Sequence, residues 1–160
     1  MIAAHLSSRG VSRVIYGAII GLALVVALQA HPPPPGAVIA SLLGTAIAVS
    51  LAEIFSELVG FETRRRRHAE RAEVRAVLAD SAAVAIGIGF PAVYFLLEVI
   101  GVLGDDAAFL LARWSGLGLL GVYGFVGARL TGSGLLSALL KACGVALIGA
   151  ALIGLKALVH

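Results

Sequence analysis

The sequence is poor in cysteine and in charge. Of its 160 residues one is a cysteine, Cys143, and 13% are charged, whereas about a quarter of a soluble domain is charged. A lone cysteine excludes an intrachain disulfide and a thiolate metal cluster, and in an apolar segment it is expected to be a buried, inert thiol. The shortage of charge, with 60% hydrophobic residues and a mean hydropathy of +1.04, excludes an ordinary soluble protein.

Long apolar runs take the place of the missing charge. They predict an all-α, polytopic transmembrane helical bundle that forms a single membrane domain over residues 1–160. The five expected spans cover about residues 11–30, 37–60, 81–103, 107–128 and 135–158. Between the second and third spans, residues 61–80 are charged and rich in helix formers, which predicts a short cytoplasmic helix. Pro91 predicts a kink within the third span.

The basic residues predict the orientation. With the N-terminus in the cytoplasm, nine of the twelve Lys and Arg residues fall on the cytoplasmic side. We therefore expect a multi-pass protein of the cell (inner) membrane whose first partner is the lipid bilayer. The run Arg64–Arg67 could instead bind nucleic acid, but no aromatic residues are interleaved with it. A topology signal that also touches anionic lipid is the favoured interpretation, and no nucleic-acid partner is expected.

Glycine spacing predicts where helices approach each other. Gly17 and Gly21 lie four residues apart in the first span and form a small-residue face suited to close packing. In the fourth span, glycines recur every three residues and predict a second smooth stripe. Its members are Gly118, Gly121, Gly124 and Gly127.

Two acidic residues in the second span are the candidate functional residues. Glu53 and Glu57 lie one helical turn apart and project from one face near the cytoplasmic end. Carboxylates inside a span are costly and need a partner or a function. Paired carboxylates suit a hard divalent cation, and a carboxyl group in a low-dielectric environment can also carry a proton. We expect a candidate ion site here, with His68, Glu70 and Glu73 as weaker candidates that collect the ion.

Each buried acid also has a structural interpretation. Lys141 lies at about the depth of Glu53 and could pair with it, and Arg64 is close enough to satisfy Glu57. In the same way, Glu98 and Arg113 flank the turn at Gly104 and could form an ion pair. The sequence leaves these alternatives open.

Enzymatic chemistry is not expected. No span carries metal-ligand spacing, or a nucleophile beside a histidine. No cofactor is required by this interpretation, and a divalent cation enters only as a candidate substrate.

Three pieces of the chain resemble one family of membrane carriers. They are residues 16–22 (Tyr-Gly-Ala-Ile-Ile-Gly-Leu), residues 46–53, which lead into the charged segment, and residues 127–133 followed by 147–151. Together they resemble the vacuolar iron transporter family, the group that includes nodulin-like iron and manganese carriers. The resemblance implies the fold and a homodimer whose ion path lies near the two-fold axis.

The chain departs from that family at its ligands. Ile20 stands where the family usually has an aspartate, Leu51 stands where it has a methionine, and the large cytoplasmic metal-binding domain is reduced to about 20 residues. Iron as substrate is therefore not carried over. Two hypotheses follow. A cation carrier or proton-coupled carrier predicts paired acids facing a polar cavity. A non-transporting subunit of a larger membrane complex predicts a Glu53–Lys141 pair, no cavity and an open glycine face.

Overall fold

The computed structural model of the protein describes residues 8–130, 132, 134–140, 142–144, 147 and 151, with the backbone alone for residues 8 and 9. These described residues form helices and no strand. The helices are α1 (Ser8–Leu28), α2 (Pro35–Arg65), α3 (Arg71–Gly89), α4 (Ala92–Val99) and α5 (Asp105–Leu130). The predicted all-α class is confirmed.

Three helices are long and apolar enough to cross a membrane, namely α1 from Gly10 onward, α2 and α5. Helices α3 and α4 reach that length only as one pair, so the described chain holds three or four candidate spans. Residues 135–140 and 142–144 are helical, but most of the predicted fifth span lies outside the described residues. The count of five spans and the cytoplasmic N-terminus remain predictions.

The break between α3 and α4 lies where Pro91 predicts a kink. Proline lacks the N–H that would continue the helical hydrogen bonds, and its ring crowds the preceding turn. The N–H of Phe90 still donates to the carbonyl oxygen of Ile86, at 3.0 Å. Beyond Phe90 the axis bends by 48°. The predicted kink is confirmed.

Helix α1 lies at the centre of the bundle, packed mainly against α3 and α5. A Cβ atom at Gly17 would collide with the carbonyl oxygen of Val84, and one at Gly21 would lie 2.8 Å from the carbonyl oxygen of Ile88. Gly87 on α3 is as closely approached, with 2.7 Å to a carbonyl oxygen of α1. The predicted packing face of Gly17 and Gly21 is confirmed, and its partner is α3.

The glycines of α5 differ from the prediction. Residues that face the bundle recur every four positions, at Ala108, Ala112, Gly116, Leu120, Gly124 and Ala128. A Cβ atom at Gly118 or Gly121 would meet no described atom within 4 Å. The predicted stripe is therefore divided between two faces: Gly124 lies on the ridge that faces the bundle, while Gly118 and Gly121 lie on an open face.

The lone cysteine also differs from expectation. Cys143 is exposed within the described part of the chain. The prediction of a buried thiol is wrong because apolar sequence does not imply burial in protein when a helix can face lipid on one side.

Candidate functional site

Most charged residues of the described chain lie at one end of the bundle, where α1 begins, α2 ends, α3 begins and α5 ends. We call it the arginine end. A cavity of about 1190 Å³ lies there between α1, α2 and α3. Its charged lining residues are Arg13, Glu53, Glu57, Arg64, Arg65, Glu73 and Asp80. The hydroxyl-bearing side chains of Ser12, Tyr16 and Ser56 also line it.

Arg13 joins the two candidate carboxylates. Its Nη1 contacts Oε1 of Glu53, and its Nη2 contacts Oε1 of Glu57. The i, i+4 spacing places both acids on the face of α2 that meets this guanidinium. Helices α1 and α2 otherwise contact each other little. The planar fork of an arginine is suited to such a bridge, because its N–H groups diverge in fixed directions.

The three side chains do not balance in charge. Two carboxylates and one guanidinium leave one net negative charge facing the cavity. Glu53 is the deeper acid, with 12% of its side chain exposed against 33% for Glu57. The second oxygen of Glu53, Oε2, is buried and has no hydrogen-bond partner among the described residues. An acceptor of this kind is costly to leave unpaired, so it is a place where a proton or a cation would be stabilised.

The partner of Glu53 and Glu57 was missed by the sequence reasoning. Lys141, the expected partner of Glu53, lies outside the described residues. Arg64, the expected neighbour of Glu57, lines the same cavity but forms no ion pair with it in the described structure. Arg13 was counted only as a topology signal. The sequence signal for its role was its place at the cytoplasmic end of the first span, the same end at which an antiparallel second span finishes.

The expected pair of Glu98 with Arg113 does not form in the described structure. The rings of Phe95 and Phe109 pack edge to face with centroids 4.8 Å apart, and this contact sets the register between α4 and α5. From that level the two helices run in opposite directions, so Glu98 and Arg113 are separated by about 10 Å along the axis. One oxygen of Glu98, Oε2, is buried without a hydrogen-bond partner among the described residues.

The weaker candidates lie in and beside residues 66–70, which link α2 to α3 and are called the link below. Glu73 accepts hydrogen bonds from Arg67 at 2.8 and 3.0 Å and from the backbone N–H of Glu70 at 2.8 Å. His68 lies 3.1 Å from a carboxylate oxygen of Glu62. Of the three predicted collectors, Glu73 lines the cavity, whereas His68 and Glu70 do not.

Charged side chains at the protein surface hold the link in position. Glu70 and Glu73 form a capping box at the start of α3, which satisfies backbone N–H groups that a helix start leaves unpaired. The guanidinium of Arg67, followed by the Glu70 N–H, lowers the pKa of Glu73 below its ordinary value. The same contact raises the pKa of Arg67. These groups therefore hold the link in position, and the Glu73 carboxylate is already bound to Arg67 and to the Glu70 N–H.

A preformed metal centre is not part of this geometry. Over the residues that the structure describes, no group of three or more His, Cys, Asp or Glu side chains is placed to hold a metal ion. A cation at Glu53 and Glu57 would have to displace Arg13. No protein-family model, curated protein or solved structure matches the chain.

Proposed function

We propose that the chain is a small membrane carrier for a cation, either a divalent metal ion or a proton that drives a coupled solute. In this proposal Glu53 and Glu57 form the ion site at the mouth of the bundle. The supporting observation is the cavity at the arginine end, which is lined by both carboxylates and by the guanidinium that bridges them. A purely structural ion pair has no need of such a cavity.

Arg13 has a defined role in this mechanism. Two carboxylates four residues apart repel each other in a low-dielectric site, so an empty site needs a positive charge. Arg13 supplies that charge from within the chain. An arriving cation replaces the guanidinium, and when the cation leaves, Arg13 returns. The two carboxylates are then never left without a positive charge beside them. Breaking the ion pairs of Arg13 offsets part of the free energy of cation binding, which lets the cation leave again.

The resemblance to vacuolar iron transporters supports the same proposal. Tyr16 and Gly17, which carry part of it, lie beside the cavity and at the crossing of α1 with α3. The homodimer and the multi-pass topology in the cell membrane belong to this proposal as well. The absent aspartate at Ile20 and the absent methionine at Leu51 leave the identity of the ion open.

Uptake into proteoliposomes tests the proposal. We would measure entry of Fe²⁺ and Mn²⁺ with and without a pH gradient. The wild type is compared with Glu53→Gln/Glu57→Gln, and the matched control is Asp105→Asn/Asp106→Asn, which removes two carboxylates from the opposite end. We expect the Glu53/Glu57 variant to lose at least about tenfold in uptake, the effect of about 1.4 kcal/mol of lost interaction, and the control to retain it.

Arg13→Gln separates the exchange mechanism from simple binding. Without its internal competitor, the site should bind the cation more tightly and release it more slowly, so that KM and the maximal rate both fall. A fall in rate with KM unchanged would contradict a competing role for Arg13. An absence of uptake by wild-type protein under every condition would refute the carrier.

A second candidate function is a non-transporting subunit of a larger membrane complex. It is favoured by Gly118 and Gly121 of α5, which leave a smooth face with no described neighbour. Trp114 and Val122 flank that face and are exposed. This candidate predicts no uptake. It also predicts that Gly118→Leu releases the chain from its complex while the isolated protein keeps its stability.

A further inference from the structure

Helices α2 and α3 each present a row of exposed apolar residues away from the bundle. The row on α2 has members four residues apart, between 47% and 72% exposed: Leu43, Ile47, Leu51, Phe55 and Val59. The row on α3 contains Leu78, Ala82 and Ile86. Residues three or four apart lie on one helix face, so each row is continuous along its helix. We call these the apolar rows.

Both apolar rows end in arginines at the same end of the bundle. On α3, Arg75 precedes Leu78 by three residues and Arg71 precedes Arg75 by four, so both continue the row. On α2, Arg64 and Arg65 occupy the last turn, and Arg66 follows directly. All five side chains are exposed. Together Arg64, Arg65, Arg66, Arg71 and Arg75 form what we call the arginine surface.

No ion pair among the described residues neutralises the arginine surface, although Arg65 attracts the carboxylate of Glu73. Arg67, beside it, is bound to Glu70 and Glu73. None of the five arginines forms an ion pair with another described residue. Five exposed positive charges next to one another repel, so an external anion would stabilise this arrangement.

The backbone at Arg66 points to a use for its side chain. Arg66 ends α2 in the left-handed conformation, with φ of 52°. Glycine is the residue that adopts this conformation without strain, and it is the usual choice after a helix. Strained non-glycine residues are enriched at functional sites. At this position an arginine adds one more cation to the surface.

We propose that the arginine surface binds the headgroups of anionic phospholipids, whose acyl chains lie along the apolar rows of α2 and α3. The charge is complementary, and on both helices the apolar row gives way to arginines toward the same end, as hydrocarbon gives way to headgroups in a bilayer. Nucleic acid fits the surface less well. The ring of Phe61 is contacted by the guanidinium groups of Arg65 and Arg67, 5.9 and 5.2 Å from its centroid, so a base that stacked on it would compete with them.

Lipid binding to the purified full-length chain tests this proposal. In a neutral detergent, native mass spectrometry counts bound phosphatidylglycerol and phosphatidylcholine from an equimolar mixture. Arg71→Gln/Arg75→Gln is compared with Arg67→Gln/Arg113→Gln, which also removes two charges but leaves the arginine surface intact. At about fivefold per arginine, the first variant should bind phosphatidylglycerol about 25-fold more weakly, while the control changes little. Arg71 and Arg75 do not line the cavity, so the result is independent of transport.

Wild-type protein provides a measurement that needs no variant. Raising the salt from about 0.1 M to about 0.5 M should release phosphatidylglycerol and leave phosphatidylcholine bound, because salt screens exposed charges. Equal binding of the two lipids by the wild type would overturn the proposal, as would equal losses in the two variants. It would also be overturned if an RNA oligonucleotide bound more tightly than phosphatidylglycerol and lost its binding in Arg71→Gln/Arg75→Gln.

Discussion

Helices α1 and α2 are about equally apolar, yet the fold uses them in opposite ways. In α1, 44% of the most apolar window is buried within the protein, against 17% in α2. The interior side of α1 carries glycines that touch the backbone of α3, whereas α2 buries Val38, Leu42 and Ala46 and exposes a row of large side chains. Arg13 and its carboxylates join the two helices at the arginine end.

The difference shows which property of a helix decides its place in a membrane bundle. Lipid is as apolar as leucine, so hydropathy selects the segments that can enter a bilayer but does not draw two of them together. Two helices are drawn together where their backbones can approach closely, because close approach brings many atoms into contact. Small residues on both sides of the α1–α3 crossing therefore explain the central position of α1. Bulky residues spaced along α2 keep that helix at the edge.

Gly17→Leu should break the centre of the bundle and have the largest effect. A Cβ atom at this position already collides with backbone, so a leucine side chain forces α1 and α3 apart. The expected loss in the free energy of unfolding exceeds about 3 kcal/mol. The measurement is unfolding by SDS in mixed micelles, followed by circular dichroism.

Gly118→Leu is the matched control for that change. Both positions are glycines inside long helices, but no described atom lies within 4 Å of a Cβ at Gly118. Since leucine is the better helix former, the control should be neutral or more stable by up to about 1 kcal/mol. Equal destabilisation by the two substitutions would show that packing at the α1–α3 crossing is not what separates α1 from the edge helices.

Leu22→Ala and Phe55→Ala compare the two helices directly. Leu22 on α1 is 1% exposed, and Phe55 on α2 is 72% exposed. Truncating Leu22 leaves a cavity in the protein and should cost about 2–3 kcal/mol. Truncating Phe55 on the exposed row of α2 should change stability by less than about 0.5 kcal/mol. The same SDS unfolding measurement applies to both variants.

The Phe55 variant also tests the predicted homodimer. If a second copy of the chain covers the α2 row, Phe55→Ala should cost as much as Leu22→Ala, and the cost should depend on protein concentration. A small cost that does not change with concentration assigns the row to lipid. That result would leave the open face of α5 as the place for a dimer contact.

The helical class and the close packing of α1 could be predicted from the sequence for physical reasons. Hydropathy measures transfer into lipid, which acts on each segment alone, and the Gly17–Gly21 spacing follows from helical geometry. The α5 stripe is divided between two faces because four glycines at three-residue spacing cannot all lie on the four-residue ridge that meets α1. Which ridge faces inward depends on the other helices, and a single sequence does not contain that information directly.

The candidate site was predicted in part. Glu53 and Glu57 were singled out because charge inside a span is costly, and they do line a cavity. Their partner was not found, because the sequence indicates depth along the membrane normal but not which helices are neighbours. Lys141 satisfied the depth criterion for Glu53, whereas Arg13 lies near the start of the predicted first span and did not. The expected Glu98–Arg113 pair failed for a related reason, since the Phe95–Phe109 contact sets the register of the turn.

Arg67→Gln should have the smallest effect, confined to the link that joins α2 to α3. Arg67 is exposed and binds Glu73 at 2.8 Å, so its loss leaves the bundle intact and loosens the first turn of α3. We expect faster amide hydrogen exchange over residues 71–75 and an unchanged unfolding midpoint. Arg66→Gln, one residue away and without an ion pair in the described structure, is the control and should leave that exchange unchanged.

The pH dependence distinguishes this contact from a general loosening. Because Arg67 lowers the pKa of Glu73 in the folded chain, the contact stabilises the link above the ordinary glutamate pKa of about 4.3. Its contribution is lost as the pH falls through the lowered pKa of Glu73. The difference in exchange between wild type and Arg67→Gln should therefore be full at neutral pH and disappear in acid. A difference that persists unchanged in acid would mean that Arg67 acts over the Phe61 ring or through its hydrogen bond to the His68 carbonyl oxygen, and not through the carboxylate.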